Sequence, residues 1–468
     1  MESKDAQYLK MTQTPVPKLI STLAVPTVIS MLITAAYNTA DTFFVAMLED
    51  TSATGAVGVV FSLMALMQAT SFMIGLGSGS WISRLLGQQR GDEASEVGST
   101  GLLMALVCGA CLFLYGLFGN TAPLMSLLGA TDTILPYAQA YGEYILFGAP
   151  AVMGSFVLNN MLRSEGKAKF SAIGIAVGGV LNVILDPIFI LPWGFGLKTA
   201  GAAVATAISQ TVSFFILLIP YLRGKTEVKL SLRRVSHRVG RYATILKNGL
   251  PSFARQGLSS ISSILLNKSA AAAAALYADQ AIAAMSIVTK VTMMVFSVVI
   301  GIGQGYQPVL GYNYGAKRYD RSREAVLFMV KACSLVMLAL AAFFFVIAPG
   351  LIGAFGSAKS DAKVMEFALF AFRAQCVALP LMPMGVACNM TFQSTGQAGR
   401  ATFLSACRQG LYLVPLLLIL PRFLGLTGVQ IAQPISDVCT FVTCLPFLRT
   451  FLRELSAKQQ EAPGTGKE

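Results

Sequence analysis

Charge is scarce in this sequence. Asp, Glu, Lys and Arg make up 12% of its 468 residues, about half the share of an ordinary soluble domain. That scarcity excludes disorder, which needs high polarity, and it leaves no segment for a sizeable soluble catalytic domain. Histidine is almost missing: the one copy, His237, lies in a basic loop, which lends no support to histidine-based metal binding or catalysis. The eight cysteines all sit inside apolar stretches. Cys108 and Cys111 have C-x-x-C spacing, but no second pair follows, so small buried hydrophobes explain them better than zinc. No G-x-x-x-x-G-K-[ST], H-E-x-x-H or G-x-S-x-G stretch occurs, which removes ATP-driven pumping and the commonest intramembrane hydrolases. No channel-like filter motif occurs either. No small-residue cleavage site follows the first apolar run, so that run is an uncleaved span rather than a leader.

What is present is apolar surface, at 55% of the residues. That is enough for twelve spans of about 20 residues with short connections. The runs fall near 18–47, 54–82, 96–118, 134–160, 170–192, 199–221, 246–268, 280–304, 324–348, 362–388, 400–421 and 427–450. Twelve spans put both termini on one side. Of the 35 basic residues, 25 lie in the termini and even-numbered loops and 5 in the odd-numbered loops. The positive-inside rule then predicts cytoplasmic termini. It also accounts for the net charge of +13 through topology and anionic headgroups, without nucleic acid.

The chain repeats itself. Ala24-Val25-Pro26 matches Gly249-Leu250-Pro251 at a shift of 225, and Gly75-Leu76-Gly77-Ser78-Gly79 matches Gly301-Ile302-Gly303-Gln304-Gly305 at 226. Gly87–Asp92 matches Gly315–Asp320 at 228, and Ser164-Glu165-Gly166 matches Ser394-Thr395-Gly396 at 230. Markers in one order across six spans mean two parallel six-helix repeats, the plan of two-lobed transporters. The expected fold is an all-α polytopic membrane protein with twelve transmembrane helices in two pseudo-symmetric six-helix bundles. Its parts are an N-terminal lobe over 1–221, a connecting loop over 222–247, a C-terminal lobe over 248–450 and a tail over 451–468.

Ionisable groups at lipid depth cost ~2.5–3.5 kcal/mol each and are functional candidates by default. The first half holds Asp41, with Tyr37 and Asn38 one turn before it, and Asn182 with Asp186 spaced i, i+4 on one helix face. At 1.5 Å per residue, Asp41 and Thr206 lie about 12 Å, Asp186 about 9 Å and Tyr141 about 13 Å from the outer ends of their spans. Oxygen groups at one level suit Na⁺, and two nearby carboxylates suit proton uptake. The second half does not repeat the acids: Leu266, Tyr412 and Leu416 stand opposite Asp41, Asn182 and Asp186. Glu143 aligns with Arg373; the two either face across the central cleft or are each paired locally. Lys290, Arg408 and Asp437 are further candidates for the second half of the cavity. Met153 and Met285, being adaptable, complete the candidate substrate wall with Tyr37, Asn38, Tyr141, Glu143, Asn159 and Arg373.

Tyr37-Asn38-x-x-Asp41, Gly75-x-Gly77, Arg84-x-x-Gly87, Arg163-Ser164-Glu165-Gly166 and Asn182-x-x-x-Asp186-Pro187, in this order in a repeated chain, resemble the multidrug and toxic compound extrusion (MATE) transporters, nearest their prokaryotic DinF-like and MepA-like branches. The resemblance implies a V-shaped pair of bundles that exports cationic or amphiphilic drugs in exchange for H⁺ or Na⁺. It implies no enzyme activity and no cofactor beyond the coupling ion. It carries Asp41, Asn182, Asp186 and Thr206 over as the coupling site, with Asp41, Asn182 and Asp186 as the Na⁺ ligands if Na⁺ is the ion. Where some members carry acids in spans 7 and 10, this chain has Arg255 and Arg373. The expectation is a monomeric exporter in a prokaryotic plasma membrane, with small molecules and lipids as its partners. A lipid-linked saccharide or lipid flippase is the alternative, kept open by Arg255, Lys290, Arg373 and Arg408.

Overall fold

The computed structural model describes residues 2–47, 51–274, 277–354 and 361–461, with the side chains of 2–5, 38–43, 45, 46 and 51–54 outside the described set. Every regular element among the described residues is helical. Lipid leaves little choice, because a spanning segment must satisfy its own backbone N–H and C=O groups. The first half contains α1 (Glu2–Gln13), α2 (Val16–Ala46), α3 (Thr51–Gly87), α4 (Gly91–Phe118), the short α5 (Ala122–Leu127), α6 (Leu135–Ser164), α7 (Ala168–Ile190) and α8 (Lys198–Leu222). The second contains α9 (Val239–Ala274), α10 (Ala278–Gly315), α11 (Tyr319–Gly353), α12 (Ala362–Ala378), α13 (Met382–Ser394), α14 (Ala398–Ala406), α15 (Leu413–Leu424) and α16 (Leu426–Glu461). Even α7, with 23 residues, reaches about 35 Å, enough for a hydrocarbon core of about 30 Å.

Eleven helices among the described residues are long and apolar enough to cross a membrane. The twelfth expected span lies in α9, which is 36 residues long but carries Arg255, Gln256, Asn267, Lys268 and several serines. Two spans are interrupted in the second half only. Span 10 breaks at a 3₁₀ turn, Leu379–Leu381, between α12 and α13. Pro380 and Pro383 each remove a backbone donor there. In the first half α6 continues through Pro150, because Met153 stands where the second half has Pro383. Span 11 passes through a π turn, Cys407–Tyr412, between α14 and α15. The carbonyls loosened by the wider turn are taken up by serine hydroxyls: Ser436 donates to the Arg408 carbonyl, and Ser262 donates to that of Gln409 at 2.6 Å.

The two halves meet along a seam near one face, the face that carries α1 and the loop between α8 and α9. Glycine allows it. Gly249 lies so close to the Met73 backbone that any Cβ would overlap it. Gly87 lies on the Tyr312 carbonyl and Gly315 on that of Arg84, a reciprocal pair at the repeat shift of 228. Thr27 adds a hydrogen bond from its hydroxyl to the Gly301 carbonyl at 2.7 Å. Further from this face the same ridges separate. On α3 the ridge through Gly77 and Met73 continues to Leu66, 54% exposed, and on α10 the ridge through Gly305 and Gly301 continues to Met294, 47% exposed. On α9 the ridge through Ile245 and Gly249 continues to exposed Ser260, Ser263 and Asn267. A cleft between the halves therefore opens toward the opposite face, and the polar ridge of α9 forms part of its wall. That position explains why α9 is the least apolar of the twelve.

Candidate functional site

In the first half, α7 and α8 bring three of the expected coupling residues together. The Asn182 side-chain amide donates to Asp186 Oδ1 at 3.1 Å and to Thr206 Oγ1 at 3.4 Å. All three side chains are buried, Asp186 completely. The i, i+4 spacing on α7 sets the first contact, and the second depends on α8 lying alongside. Asp41 is on α2, and its side chain, like that of Asn38, lies outside the described residues. The register of α2 on α7 is described one turn earlier: Ile33 and Tyr37 cover Gly179, where a Cβ would come within 3.0 Å of the tyrosine ring. Both helices run the same way, so the backbone of Asp41 reaches the level of Asn182 to Asp186. The cluster offers carboxylate, amide and hydroxyl oxygens. It can hold a proton on Asp186 directly, or an oxygen-seeking cation once the Asn182 amide turns its oxygen inward.

Asn159, Glu143 and Arg373 contact partners outside this cluster. Tyr141 and Met153 on α6 and Met285 on α10 are buried in the core; Met294 is the α10 methionine on the cleft ridge. Asn159 accepts a hydrogen bond from Ser171. That contact ties α6 to α7 about 16 Å along the helix from Asn182. Its repeat counterpart does the same, with Asn389 donating to the Ala401 carbonyl at 2.8 Å. Glu143 and Arg373 are each engaged within their own half. Thr121 donates to Glu143 at 3.2 Å, while the Arg373 guanidinium lies 5.2 Å from the centre of the Phe345 ring.

The second half buries its own carboxylate. Arg408, in the π turn, places Nε 2.6 Å from Asp437 Oδ1. Gln375 donates to Oδ2 at 2.7 Å and Gln433 to Oδ1 at 3.1 Å. The guanidinium also covers Phe296 at 4.6 Å. Arg408 and Asp437 stand out in the sequence as charges inside spans. Their pairing does not, because it joins different helices, and Gln375 gives no sequence signal beyond being polar.

On the seam face, outside the spans, Glu165 caps α6 with its side chain fully buried. Its Oε2 accepts from the backbone N–H of Glu227 at 2.7 Å and of Val228 at 3.2 Å, fastening the connecting loop to the first half. Burial pushes its carboxyl up to about 7, against the opposing effect of these donors and of Lys167.

Two six-helix repeats closed at one face and open at the other, each with a buried carboxylate in a polar cluster, define a two-lobed membrane transporter. Comparison with known proteins sharpens the class. The MatE family model matches residues 26–188 and again 251–419, and the chain belongs to that family. It is 29% identical over 445 residues to the multidrug export protein MepA of Staphylococcus saprophyticus, covering 94% of this chain and 96% of that one. Among solved structures it is similar, at TM-score 0.89 and 27% identity, to a multidrug resistance MATE family transporter in an outward-facing conformation, covering 96% of this chain and 98% of that chain. A MATE crystal structure with MaL6 bound matches equally well, at TM-score 0.89 and 27% identity over 96% of this chain and 99% of that one. The fold expectation of a helical, two-repeat transporter is borne out, and the chain is a multi-pass membrane transporter rather than an enzyme.

Proposed function

We propose that this chain is a secondary multidrug exporter that releases cationic or amphiphilic compounds in exchange for H⁺ or Na⁺. The observation that carries the reading is the buried Asn182–Asp186–Thr206 cluster. A carboxylate at lipid depth is costly to keep, and one that takes up a cation repays that cost through coupling. The basic face, with the termini, lies in the cytoplasm of a prokaryotic plasma membrane by the 25-to-5 basic asymmetry. The seam then seals the cytoplasmic side while the cleft opens outward. In this state the ion enters the first lobe, rearranges α2 against α7 and releases the drug. Open inward, the ion leaves and the next drug binds. Linkage requires the two effects to be equal, drug weakening ion binding as much as ion weakens drug binding. The protein works as a monomer among lipids. The pairing of Arg408 with Asp437 favours export over saccharide-lipid flipping, because one of the basic groups that would meet a pyrophosphate is already neutralised.

Ethidium efflux measured in everted vesicles, with a pH gradient or a Na⁺ gradient imposed separately, tests this reading. Transport driven by one of the gradients is expected, together with its loss in Asp41→Asn and in Asp186→Asn. Gradient-independent movement, or unchanged coupled transport in both variants, would overturn it.

A further inference from the structure

The seat of α1 has a repeat counterpart, and the chain does not fill that counterpart with a helix. α1 and the residue after it are held by four residues, two from each half. Gln7 donates to the Glu165 carbonyl at 2.9 Å, Met11 covers Gly166, Asn313 donates to the Met11 carbonyl at 3.1 Å, and Arg321 donates to that of Thr14. At the repeat shifts of 230 and 228, Glu165, Gly166, Asn313 and Arg321 correspond to Thr395, Gly396, Leu85 and Glu93. All four of these line one cavity of about 790 Å³ on the seam face. Much of the segment that repetition would place there, from Lys229 to Ser236, runs elsewhere. The backbone N–H groups of Lys229, Ser231 and Ser236 donate to Ser95, Ser99 and Thr100 at 3.0–3.1 Å, holding the loop over α4.

The chemistry of this cavity is one-sided. Arg84, Arg90, Arg238, Arg241 and Lys317 face it, against the single carboxylate of Glu93. That carboxylate is bound by Arg90 at 2.7 Å and by Arg241 at 3.5 Å, and Arg241 also pairs with Glu96 at 3.0 Å, so the cations left facing the cavity are Arg84, Arg238 and Lys317. Arg84 reaches across from the first half and lies on Gly396, where any Cβ would overlap its guanidinium. Its Nε is buried with no hydrogen-bond partner, and so is the Nδ2 of Asn248, a lining side chain only 5% exposed. Buried donors without acceptors are costly, so these two point to an acceptor that the protein itself does not supply. Trp81 and Tyr314 border the cavity, as aromatic side chains do at the membrane surface.

We propose that this cavity binds a phosphate group, as an anionic lipid headgroup or as a soluble phosphate compound, with Arg84 and Asn248 as its inner donors. A planar guanidinium and a neutral amide suit phosphate oxygens. The donors come from both halves and from the connecting segment, so a bound phosphate ties the seam shut on this face.

The test uses the purified full-length protein in neutral detergent and follows its melting temperature. Dioleoyl-phosphatidylglycerol, dioleoyl-phosphatidylcholine and inorganic pyrophosphate are titrated separately. A saturable rise with phosphatidylglycerol and not with pyrophosphate assigns the site to a lipid headgroup; a rise with both assigns it to phosphate groups in general. In either case Arg84→Gln is expected to raise the half-saturating concentration at least tenfold. Lys317→Gln and Asn248→Ala, which keep Arg84 in place should its loss impair folding, are expected to raise it severalfold. Arg223→Gln, exposed on the same face outside the cavity, is expected to leave it unchanged. No saturable rise with phosphatidylglycerol or pyrophosphate, an equal response to phosphatidylcholine, or equal losses in Arg223→Gln and the cavity variants would overturn the proposal.

Discussion

Each half of the molecule buries a carboxylate against the fifth and sixth helices of its bundle, and each treats it differently. Asp186 receives the amide of Asn182, with the hydroxyl of Thr206 within reach of the same amide. Asp437 receives a guanidinium at 2.6 Å and the amides of Gln375 and Gln433. On the proposed reading, the first carboxylate serves an incoming proton or cation. One paired with a built-in arginine is already answered, and admitting another cation there would require breaking a buried ion pair. Two repeats of common design thus differ in what meets the buried carboxylate: the amide of Asn182 in one, the guanidinium of Arg408 in the other.

The largest expected effect separates the two acids directly. Asp186→Asn should lower gradient-driven ethidium efflux about 100-fold or more, at equal protein per vesicle, on the order of the loss of a general acid–base group. Asp437→Asn combined with Arg408→Gln should leave efflux within about threefold on the same scale, because neither charge is used in turnover. Equal losses would remove the distinction between the halves.

The second effect is on stability. Arg408→Gln alone should cost about 3–5 kcal/mol, the usual result of leaving one member of a buried pair behind. The double replacement should recover most of that loss in chemical denaturation. Additive losses would mean that the pair is not acting as one.

Two glycines of α9, about two turns apart, offer a smaller contrast. Gly249→Ala forces a methyl into the Met73 backbone and should lower the melting temperature by several degrees. Gly257→Ala, with open space around it, should be neutral or raise stability by up to about 1 kcal/mol through helix propensity. If Gly249→Ala melts no earlier than Gly257→Ala, the seam is looser than the glycine contacts indicate.

The smallest effect compares Glu165 with its repeat counterpart Thr395, which carries no charge. A carboxyl raised to about 7 from an ordinary 4.5 binds its proton more tightly in the folded protein. Its contribution is therefore fully present below about 4.5 and is lost as pH rises through 7. The melting temperature should fall across that window in the wild type, and the slope should flatten in Glu165→Gln. An unchanged slope in the variant would assign the pH dependence to other groups.

Much of this architecture is legible in the sequence because lipid enforces simple rules. Span positions follow from apolar runs, and the pairing of the halves follows from glycine and proline markers that recur at shifts of 225 to 230. Asn182 and Asp186 are readable as partners because four residues separate them on one helix. Thr206 joins them at the level that the helical rise assigns to it. Other contacts left no such trace. The spacing of Arg408 and Asp437, 29 residues across two helices, has no helical meaning. The break in span 10 depends on a second proline, Pro383, whose counterpart is a methionine. Glu143 and Arg373 align in the repeat yet lie against local partners, because alignment relates equivalent positions and does not bring them into contact.

By itself the sequence determined what period and solvent determine: the helical spans, their repetition and the few charges too costly to be incidental. Tertiary structure alone decided which helix faces meet. It placed Gly87 and Gly315 each against the other's helix along the seam, turned the polar ridge of α9 into a cleft wall, gave Asp437 its arginine and left Arg84 beside a basic cavity. The reason is geometric. A helix presents every residue on some face, and only the neighbour that arrives there decides whether a charge meets a partner, a lipid tail or water.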